Sequence, residues 1–131
     1  MKKGFHVNIE DLTMQNTDFR RVLYTGEHSQ LVLMSLKPGE EIGVEVHDTV
    51  DQFFRFELGT GKVIINGFEY SVSNGDVVIV PAGSEHNVIN TSTTINLQLY
   101  TVYSPANHID GTVHKTKADA VEEHFDGKTT E

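Results

Sequence analysis

The sequence contains no cysteine among its 131 residues. This absence excludes disulfide bonds, thiolate catalysis and the zinc and iron–sulfur sites that cysteine ligands build. The chain also lacks any apolar run near the roughly 20 residues that a membrane-spanning helix needs. Its first residues, MKKGFHVNIEDL, have two lysines but no apolar stretch after them, so they do not resemble a secretory signal peptide. We therefore expect a cytoplasmic protein that does not enter a membrane.

Positive charge is scarce as well. Ten Lys and Arg residues are set against 19 Asp and Glu residues, which gives a formal net charge of −9 at pH 7. Nucleic acids and anionic membranes both favour clusters of Lys and Arg, and here these residues are scattered. We expect neither kind of partner.

What the chain does contain is a series of short strands separated by Gly, Pro, Asn and Asp turns. The predicted strands cover residues 19–25, 30–36, 42–47, 52–58, 62–67, 68–72, 76–81, 86–90 and 94–103. The apolar run 77–80 is typical of a strand buried on both faces. Only residues 115–125 fit a helix, because Ala118, Val121 and Phe125 are spaced for one apolar stripe. Many short strands with almost no helix predict an all-β sandwich or barrel.

Four nitrogen and oxygen donors occur on neighbouring predicted strands. Glu45 and His47 share one face of their strand, since side chains alternate with period two. Gln52 begins the next strand, and His86 opens a later one after a tight turn. If these strands close into a barrel, the four side chains can meet inside it. A mixed imidazole and oxygen set suits Zn, Mn, Fe, Ni or Co better than Ca or Mg.

The same stretches resemble the two motifs of the cupins. The second motif, G(X)5PXG(X)2H(X)3N, is matched by Gly75, Pro81, Gly83, His86 and Asn90. The first motif, G(X)5HXH(X)3–4E(X)6G, is matched at Gly39, His47 and Gly59, with Glu45 in place of its first histidine and Gln52 in place of its glutamate. The resemblance implies a double-stranded β-helix (jelly-roll) barrel that commonly dimerises and holds a metal inside one end. By position, the metal ligands are Glu45, His47, Gln52 and His86.

The altered first motif has a physical interpretation. The usual set of three imidazoles and one carboxylate becomes two imidazoles, one carboxylate and one amide, so the total charge of the ligands is unchanged. An amide oxygen is a weaker ligand than an imidazole, and we expect a lower metal affinity. Two alternatives stay open: Gln52 only forms hydrogen bonds within the barrel, or the site holds no metal and only the fold persists.

The resemblance leads to a single domain over residues 1–131, with the barrel at 19–103 and a tail with a short C-terminal helix at 104–131. Cupins include isomerases, epimerases, lyases, decarboxylases and oxygenases, and also sensors without catalytic activity. Cupin phosphomannose isomerases use a similar set of glutamine, glutamate and two histidines around zinc. We expect a metal-dependent enzyme for a small polar or carbonyl-containing substrate, such as a sugar or sugar phosphate. The alternative is a non-catalytic protein that binds or senses a small molecule.

Further polar residues are weaker candidates for catalysis. His108, Asp110 and His114 follow the last strand and form either a lid with acid and base groups or a solvated tail. Tyr100 and Tyr103 lie on opposite faces of that strand, so at most one of them points into the barrel. We take His108, His114 and Tyr100 as the candidates.

Apolar residues predict both a cavity and a subunit interface. Phe54 and Phe56 are expected below Gln52, where they would make an apolar pocket typical of small-molecule sites. An outward apolar face is expected from Ile42, Val44 and Val46 together with Phe53. Such a face needs to be covered, and we expect a homodimer.

Overall fold

Nine β-strands and one short α-helix form the part of the chain that the computed structural model describes, residues 1–121 and 123–131. The elements are α1 (Ile9–Gln15), β1 (Arg20–Thr25), β2 (Gln30–Leu36), β3 (Asp51–Leu58), β4 (Gly61–Ile65), β5 (Phe68–Val72), β6 (Val77–Val80), β7 (His86–Asn90), β8 (Leu97–Ser104), β9 (Val113–His114) and a 3-10 helix at Lys117–Asp119. No described helix is both long and apolar enough to cross a bilayer.

The strands form two antiparallel sheets. The larger has the order β6-β3-β8-β2-β1-β9, and the smaller has the order β5-β4-β7. Inward residues of both sheets pack into one apolar core. Along β3, Gln52, Phe54 and Phe56 are buried while the residues between them are partly exposed. The predicted all-β jelly-roll architecture is therefore confirmed, with alternation along each strand directing one face to the core.

The α-helix lies at the N-terminal end, where no helix was predicted. Asn8 caps it, since its side chain accepts a hydrogen bond from the Asp11 backbone N–H at 3.0 Å. At the other end, the Gln98 side-chain amide of β8 donates to the carbonyls of Thr13, Met14 and Asn16. A seven-residue helix is too short to be stable alone, so these contacts with the sheet maintain it.

The predicted helix over 115–125 is wrong apart from one 3-10 turn at Lys117–Asp119. The chain leaves this turn in an extended conformation at Ala120, and the amide of Phe125 donates to the Asn107 carbonyl at 3.1 Å. Residue 122, within the predicted helix, lies outside the described residues. Tertiary contacts that draw the segment along the barrel outweigh its helical spacing.

The expectation that 77–80 is buried on both faces is also wrong. Strand β6 is the edge strand of the larger sheet and pairs only with β3. Val77 and Ile79 are 46% and 61% exposed, whereas Val80 is buried. The outer face has no covering layer within the described chain, so a continuous apolar run here marks an exposed edge.

A backbone bulge at Gly43 changes the predicted alternation over 42–47. This segment runs along β7, where Ile42 N donates to Val88 O and Glu45 N donates to His86 O, both at 2.9 Å. The three-residue advance from 42 to 45 is thus opposite a two-residue advance from 88 to 86. The first segment therefore contains one inserted residue, which is a β-bulge. Gly43 has a φ of 107°, which a residue with a Cβ rarely adopts. Consequently Ile42 packs against the core rather than outward as predicted.

The other members of the predicted outward face are Val44, Val46 and Phe53. Val44 and Val46 are 66% and 49% exposed. Phe53, on β3, is half-buried and packs against Tyr100 with the two rings tilted and their centroids 6.2 Å apart. The predicted face is therefore reduced to two exposed valines, since Ile42 turns inward at the bulge and Phe53 pairs with Tyr100.

Candidate metal centre

A backbone pair brings Glu45 next to His86. Their residues form an antiparallel bridge in which each amide donates to the other's carbonyl at 2.9 Å. The bulge at Gly43 comes just before this pair. Because it inserts one residue, Glu45 points inward, as Ile42 does. His47 follows two positions later on the same face, and its carbonyl accepts a hydrogen bond from Gly83 at 2.8 Å. Local pairing of the two motif segments therefore positions three donors at one place.

The three side chains converge. One donor atom from each of Glu45, His47 and His86 lies within 4.8 Å of the other two. His47 Nε2 is 3.0 Å from Glu45 Oε2. The geometry of that contact is not that of a hydrogen bond, so the buried Nε2 has no hydrogen-bond partner. An unsatisfied buried nitrogen facing a carboxylate oxygen is the arrangement that a shared cation would satisfy.

His86 is oriented by the turn before β7. Its Nδ1 lies 3.0 Å from the Ser84 carbonyl, which can only accept, so Nδ1 carries the proton. The lone pair of the ring is then on Nε2. Phe54 packs edge-on against the ring with centroids 6.4 Å apart. A ligand histidine in proteins is commonly fixed in this way through its other nitrogen.

Gln52 borders the same narrow space. It lines a gap in the barrel interior together with Glu45, His86, Phe54 and Tyr103. Its Nε2 donates to Thr101 Oγ1 at 3.0 Å, while its buried Oε1 has no hydrogen-bond partner. Thr101 thus fixes which end of the amide is free, and the free end is an oxygen.

The electrostatics favour an ionised Glu45. Burial raises the pKa of its carboxyl group, but the contact with His47 and the proximity of Arg20 and His86 outweigh burial and lower that pKa overall. Glu45 is therefore a carboxylate at neutral pH and is available as a charged ligand.

An open cavity of about 530 Å³ adjoins the cluster. Its lining includes Glu45 and His47 at the cluster, the apolar residues Phe19, Ile42, Val44, Val46, Ala120 and Val121, and the polar residues Arg20, Asn107, His108, Lys117, Glu123 and His124. The tail after β8 supplies many of these residues. The described part of the tail is thus a wall of the cavity and not the solvated segment considered above.

Two candidates from this tail are held by hydrogen bonds. His108 Nε2 lies 3.1 Å from Tyr103 Oη, and the two rings meet edge-on. Burial, followed by the charge of Arg20, lowers the pKa of His108 to about 3, so the ring is neutral. Burial also raises the pKa of Tyr103 to about 12. His114 is buried in β9, with Nδ1 3.3 Å from Arg20 Nη1.

The other candidates lie away from the centre. Tyr100 lies on the opposite face of β8 from Tyr103 and packs against the Phe53 ring, so the structure does not bring it to the cluster. Asp110 accepts a hydrogen bond from Thr130 Oγ1 at 2.8 Å. Tyr103, buried and 5.9 Å from the His47 ring between centroids, is the tyrosine of the site.

The sequence analysis missed Arg20. This side chain is 5% exposed and lines the cavity beside Glu45. A signal was present, because Arg20 shares a strand face with the buried Val22 while Arg21 between them is exposed. A charged residue on the apolar face of a strand indicates a polar site inside the fold.

The donor set fits a transition metal. Two imidazoles, one ionised carboxylate and one amide oxygen match the nitrogen and oxygen ligands that Zn, Mn, Fe, Ni and Co accept. Two of these donor atoms, His47 Nε2 and Gln52 Oε1, are buried without hydrogen-bond partners. A bound cation would satisfy both.

Comparison with known proteins agrees with this fold. A family model described as a cupin domain matches residues 32–103. The uncharacterized protein YrkC of Bacillus subtilis is 51% identical over 125 residues, which cover 91% of this chain and 67% of YrkC. The crystal structure of BH2720 from Bacillus halodurans is 46% identical with a TM-score of 0.86, covering 89% of this chain and 92% of that one.

A more distant structural relative carries a functional name. The structure of a predicted oxalate decarboxylase from Thermotoga maritima is 26% identical with a TM-score of 0.57, covering 61% of this chain and 69% of that one. The cupin model spans more than half of the chain, including three of the converging side chains at positions 45, 47 and 86. The chain therefore belongs to the cupin family.

Proposed function

We propose that this cupin is a metal-dependent enzyme for a small polar or carbonyl-containing substrate, with Glu45, His47, Gln52 and His86 as the metal ligands. One observation carries the proposal: three donors converge within 4.8 Å, and His47 Nε2 is buried without a hydrogen-bond partner. A barrel that kept only its fold would gain stability by satisfying or replacing such a group.

The chemistry follows from the ligands and the cavity. When bound, Zn, Mn, Fe, Ni or Co supplies a Lewis acid that polarises a carbonyl or hydroxyl oxygen of the substrate. Reactions of the isomerase, epimerase, lyase or oxygenase type use such polarisation. The similarity to a predicted oxalate decarboxylase agrees with a carbonyl-containing substrate.

The protein's own side chains contact the substrate, exclude water and hold a proton. Glu45 and His47 lie at the boundary between the cluster and the open cavity, so a substrate in the cavity reaches the ligands directly. Phe54 closes the inner side and excludes water. The neutral His108, hydrogen-bonded to Tyr103, can hold a proton near the substrate at Nε2 or Oη.

Metal content tests the proposal. Protein purified without an affinity metal should contain nearly one equivalent of a divalent transition metal by elemental analysis. The His47→Ala, His86→Ala double variant should lose it, while His28→Ala, an exposed histidine remote from the cluster, should keep it. Folded wild-type protein that contains no metal and takes up none when Zn, Mn, Fe, Ni or Co is added would refute the four-ligand site.

A second candidate function is a protein that binds or senses a small molecule without converting it. One observation favours it: the two tail histidines are already engaged, His108 by Tyr103 and His114 by Arg20. Neither is a free general base. Turnover of a bound compound separates the two candidates, since the binding protein returns its ligand unchanged.

We also propose a homodimer formed through the edge of the larger sheet. Strand β6 presents an unpaired edge with Val77 and Ile79 exposed, and Tyr70 beside them is 50% exposed. Apolar edges of this kind are places where another chain adds to a sheet. A second copy would cover these side chains.

A further inference from the structure

Arg20 carries a positive charge and is buried. Its side chain is 5% exposed, and it takes part in none of the ion pairs among residues 1–121 and 123–131. Its Nε–H is buried without a hydrogen-bond partner. An arginine stays charged at any physiological pH, so burial does not neutralise it. Its neighbour Arg21 is half exposed and pairs with Asp18 at 3.4 Å, which is the ordinary arrangement.

The guanidinium is nevertheless held in one place. It lies over the Phe19 ring, 5.1 Å from the centroid, and its Nη1 is 3.3 Å from His114 Nδ1. Strand β9 pairs with β1, and Arg20 and His114 are opposite each other in this pair. The Phe19 ring and the nearby Glu45 compensate this charge only in part. No anion among residues 1–121 and 123–131 pairs with it directly, and burying a charge without a direct partner is costly, so this position suggests a ligand that supplies a paired anion.

The charge lies beside the candidate metal ligands. Arg20 lines the same open cavity as Glu45 and His47. Its field lowers the pKa of Glu45, secondary to the effects of burial and of His47. Glu45 is a carboxylate on which Arg20 acts, but a metal-bound Glu45 also compensates the cation that it holds. With a divalent metal bound, the metal, Glu45 and Arg20 together carry a net positive charge beside the cavity.

We infer that Arg20 anchors a carboxylate of the substrate, and that the substrate is a small organic acid whose carbonyl or hydroxyl oxygen reaches the metal cluster. This inference rests on the proposed function for the role of the cluster. The guanidinium fork matches a carboxylate in a bidentate manner through Nε–H and a neighbouring Nη N–H. Nη1 is engaged by His114 and the guanidinium is also near the Tyr103 hydroxyl, while the buried Nε–H has no hydrogen-bond partner and is the donor left for a carboxylate.

The proposal is tested with three acids and their neutral amides: pyruvate and pyruvamide, lactate and lactamide, glycolate and glycolamide. Each pair has the same shape and differs in the charge of one end. Binding is measured by calorimetry and by the shift in Tm, with metal-loaded and metal-stripped protein. At least one acid should bind tenfold or more tightly than its amide to the loaded protein. The Arg20 Nε–H resonance in a 15N NMR spectrum should move on addition of that acid.

Matched variants assign the preference to Arg20. Arg20→Gln should abolish the preference for the acid, and Arg20→Lys should reduce it because the charge remains but the fork is lost. Arg21→Gln, one residue away on the exposed face, should retain the preference. Circular dichroism establishes that each variant is folded. If Arg20→Gln does not fold, the NMR titration of the wild type still decides the question.

Several results would overturn the inference. All acids and amides binding alike, an Arg20 Nε–H resonance that no acid moves, or a folded Arg20→Gln that keeps the preference would each do so. Binding of inorganic phosphate but of no acid would overturn the assignment to a carboxylate. If the acids bind metal-stripped protein through Arg20, the anchor would be supported, and a role of the metal in substrate binding would be contradicted. If the protein binds the metal but none of the acids, the proposed metal centre would stand and the role of Arg20 as an anchor would be refuted.

Discussion

Gln52 is the residue at which the two interpretations of the centre differ most. If its free Oε1 is a metal ligand, Gln52→Leu should lower metal affinity by at least roughly tenfold. The fold should persist, because leucine fills a similar volume in the apolar interior. Titration of the metal-stripped variant with zinc measures the change.

A control variant separates ligation from hydrogen bonding. Thr101→Val removes the partner of Gln52 Nε2 and leaves the amide oxygen in place. We expect a smaller loss of affinity than in Gln52→Leu. Equal metal affinities in the wild type and Gln52→Leu would mean that Gln52 only forms hydrogen bonds within the barrel.

His108 gives a residue-scale prediction for pH. Its pKa in the folded protein is about 3 instead of the ordinary 6.5, through burial and then the charges of Arg20, His47, His114 and His124. The unfolded chain therefore binds a proton below about pH 6.5 that the folded protein does not. This group stabilises the fold above that pH, and its contribution is lost as the pH falls toward the folded value. The loss amounts to at most roughly 2 kcal/mol at pH 5.

Urea unfolding at pH 7, 6 and 5 measures this effect. His108→Gln should show a smaller fall in unfolding free energy over this range than the wild type, since glutamine does not titrate. His28→Gln, at an exposed position, should follow the wild type. Parallel curves for the wild type and His108→Gln would contradict the prediction.

At the scale of the element, the bulge at Gly43 positions the first ligand. Any side chain at a φ of 107° strains the backbone, so Gly43→Ala should lower the unfolding free energy by roughly 1–3 kcal/mol. It should also weaken metal binding, because relief of the strain would rotate Glu45 away from His86. Zinc titration and urea unfolding of the same variant measure both effects.

Gly67→Ala is the matched control. Gly67 also has a positive φ, 83°, and an added Cβ would meet nothing within 4 Å at either position. Gly67 lies in the turn between β4 and β5, so its variant should lose stability but keep metal affinity. Similar metal affinities in the two variants would show that the bulge has no part in the site.

Most strands could be predicted from the sequence, but the strand predicted over 42–47 was wrong, since this segment forms only isolated bridges to β7, and β9 was not predicted. The bounds predicted for 30–36, 68–72 and 86–90 agree with β2, β5 and β7, because alternation and turn residues are local signals. The burial of 77–80 failed, because apolar composition does not distinguish a central strand from an edge strand. The helix at 115–125 failed, because its spacing competes with tertiary contacts that the sequence does not reveal.

The candidate site, too, could be predicted from the sequence only in part. Motif spacing predicted that Glu45, His47 and His86 would lie near one another, and the three side chains do converge. Their role as ligands stays a prediction. The face opposite them was wrong for Ile42 because one inserted residue reverses all later directions. Arg20 was missed although it shares a strand face with Val22, because the sequence does not display the partners that hold a charge inside the barrel.

At the scale of the whole molecule, the exposed edge of β6 is the surface through which we expect two copies to associate. Light scattering at micromolar concentration should give the mass of two chains. Ile79→Lys, which places a charge on the exposed edge, should give a monomer that remains folded. Ile95→Lys, at another exposed apolar position, should stay dimeric. A monomeric wild type would contradict the proposed dimer.

The backbone pair between Glu45 and His86 has a consequence for dynamics. These two amides donate to each other's carbonyls, so neither can exchange its hydrogen with solvent until the same local opening separates them. Their exchange rates should therefore be similar, although the residues are distant in sequence. A cation that joins the two side chains would oppose this opening and slow both rates together. Isotope exchange at two backbone amides would then report occupancy of the centre without any substrate or assay of activity.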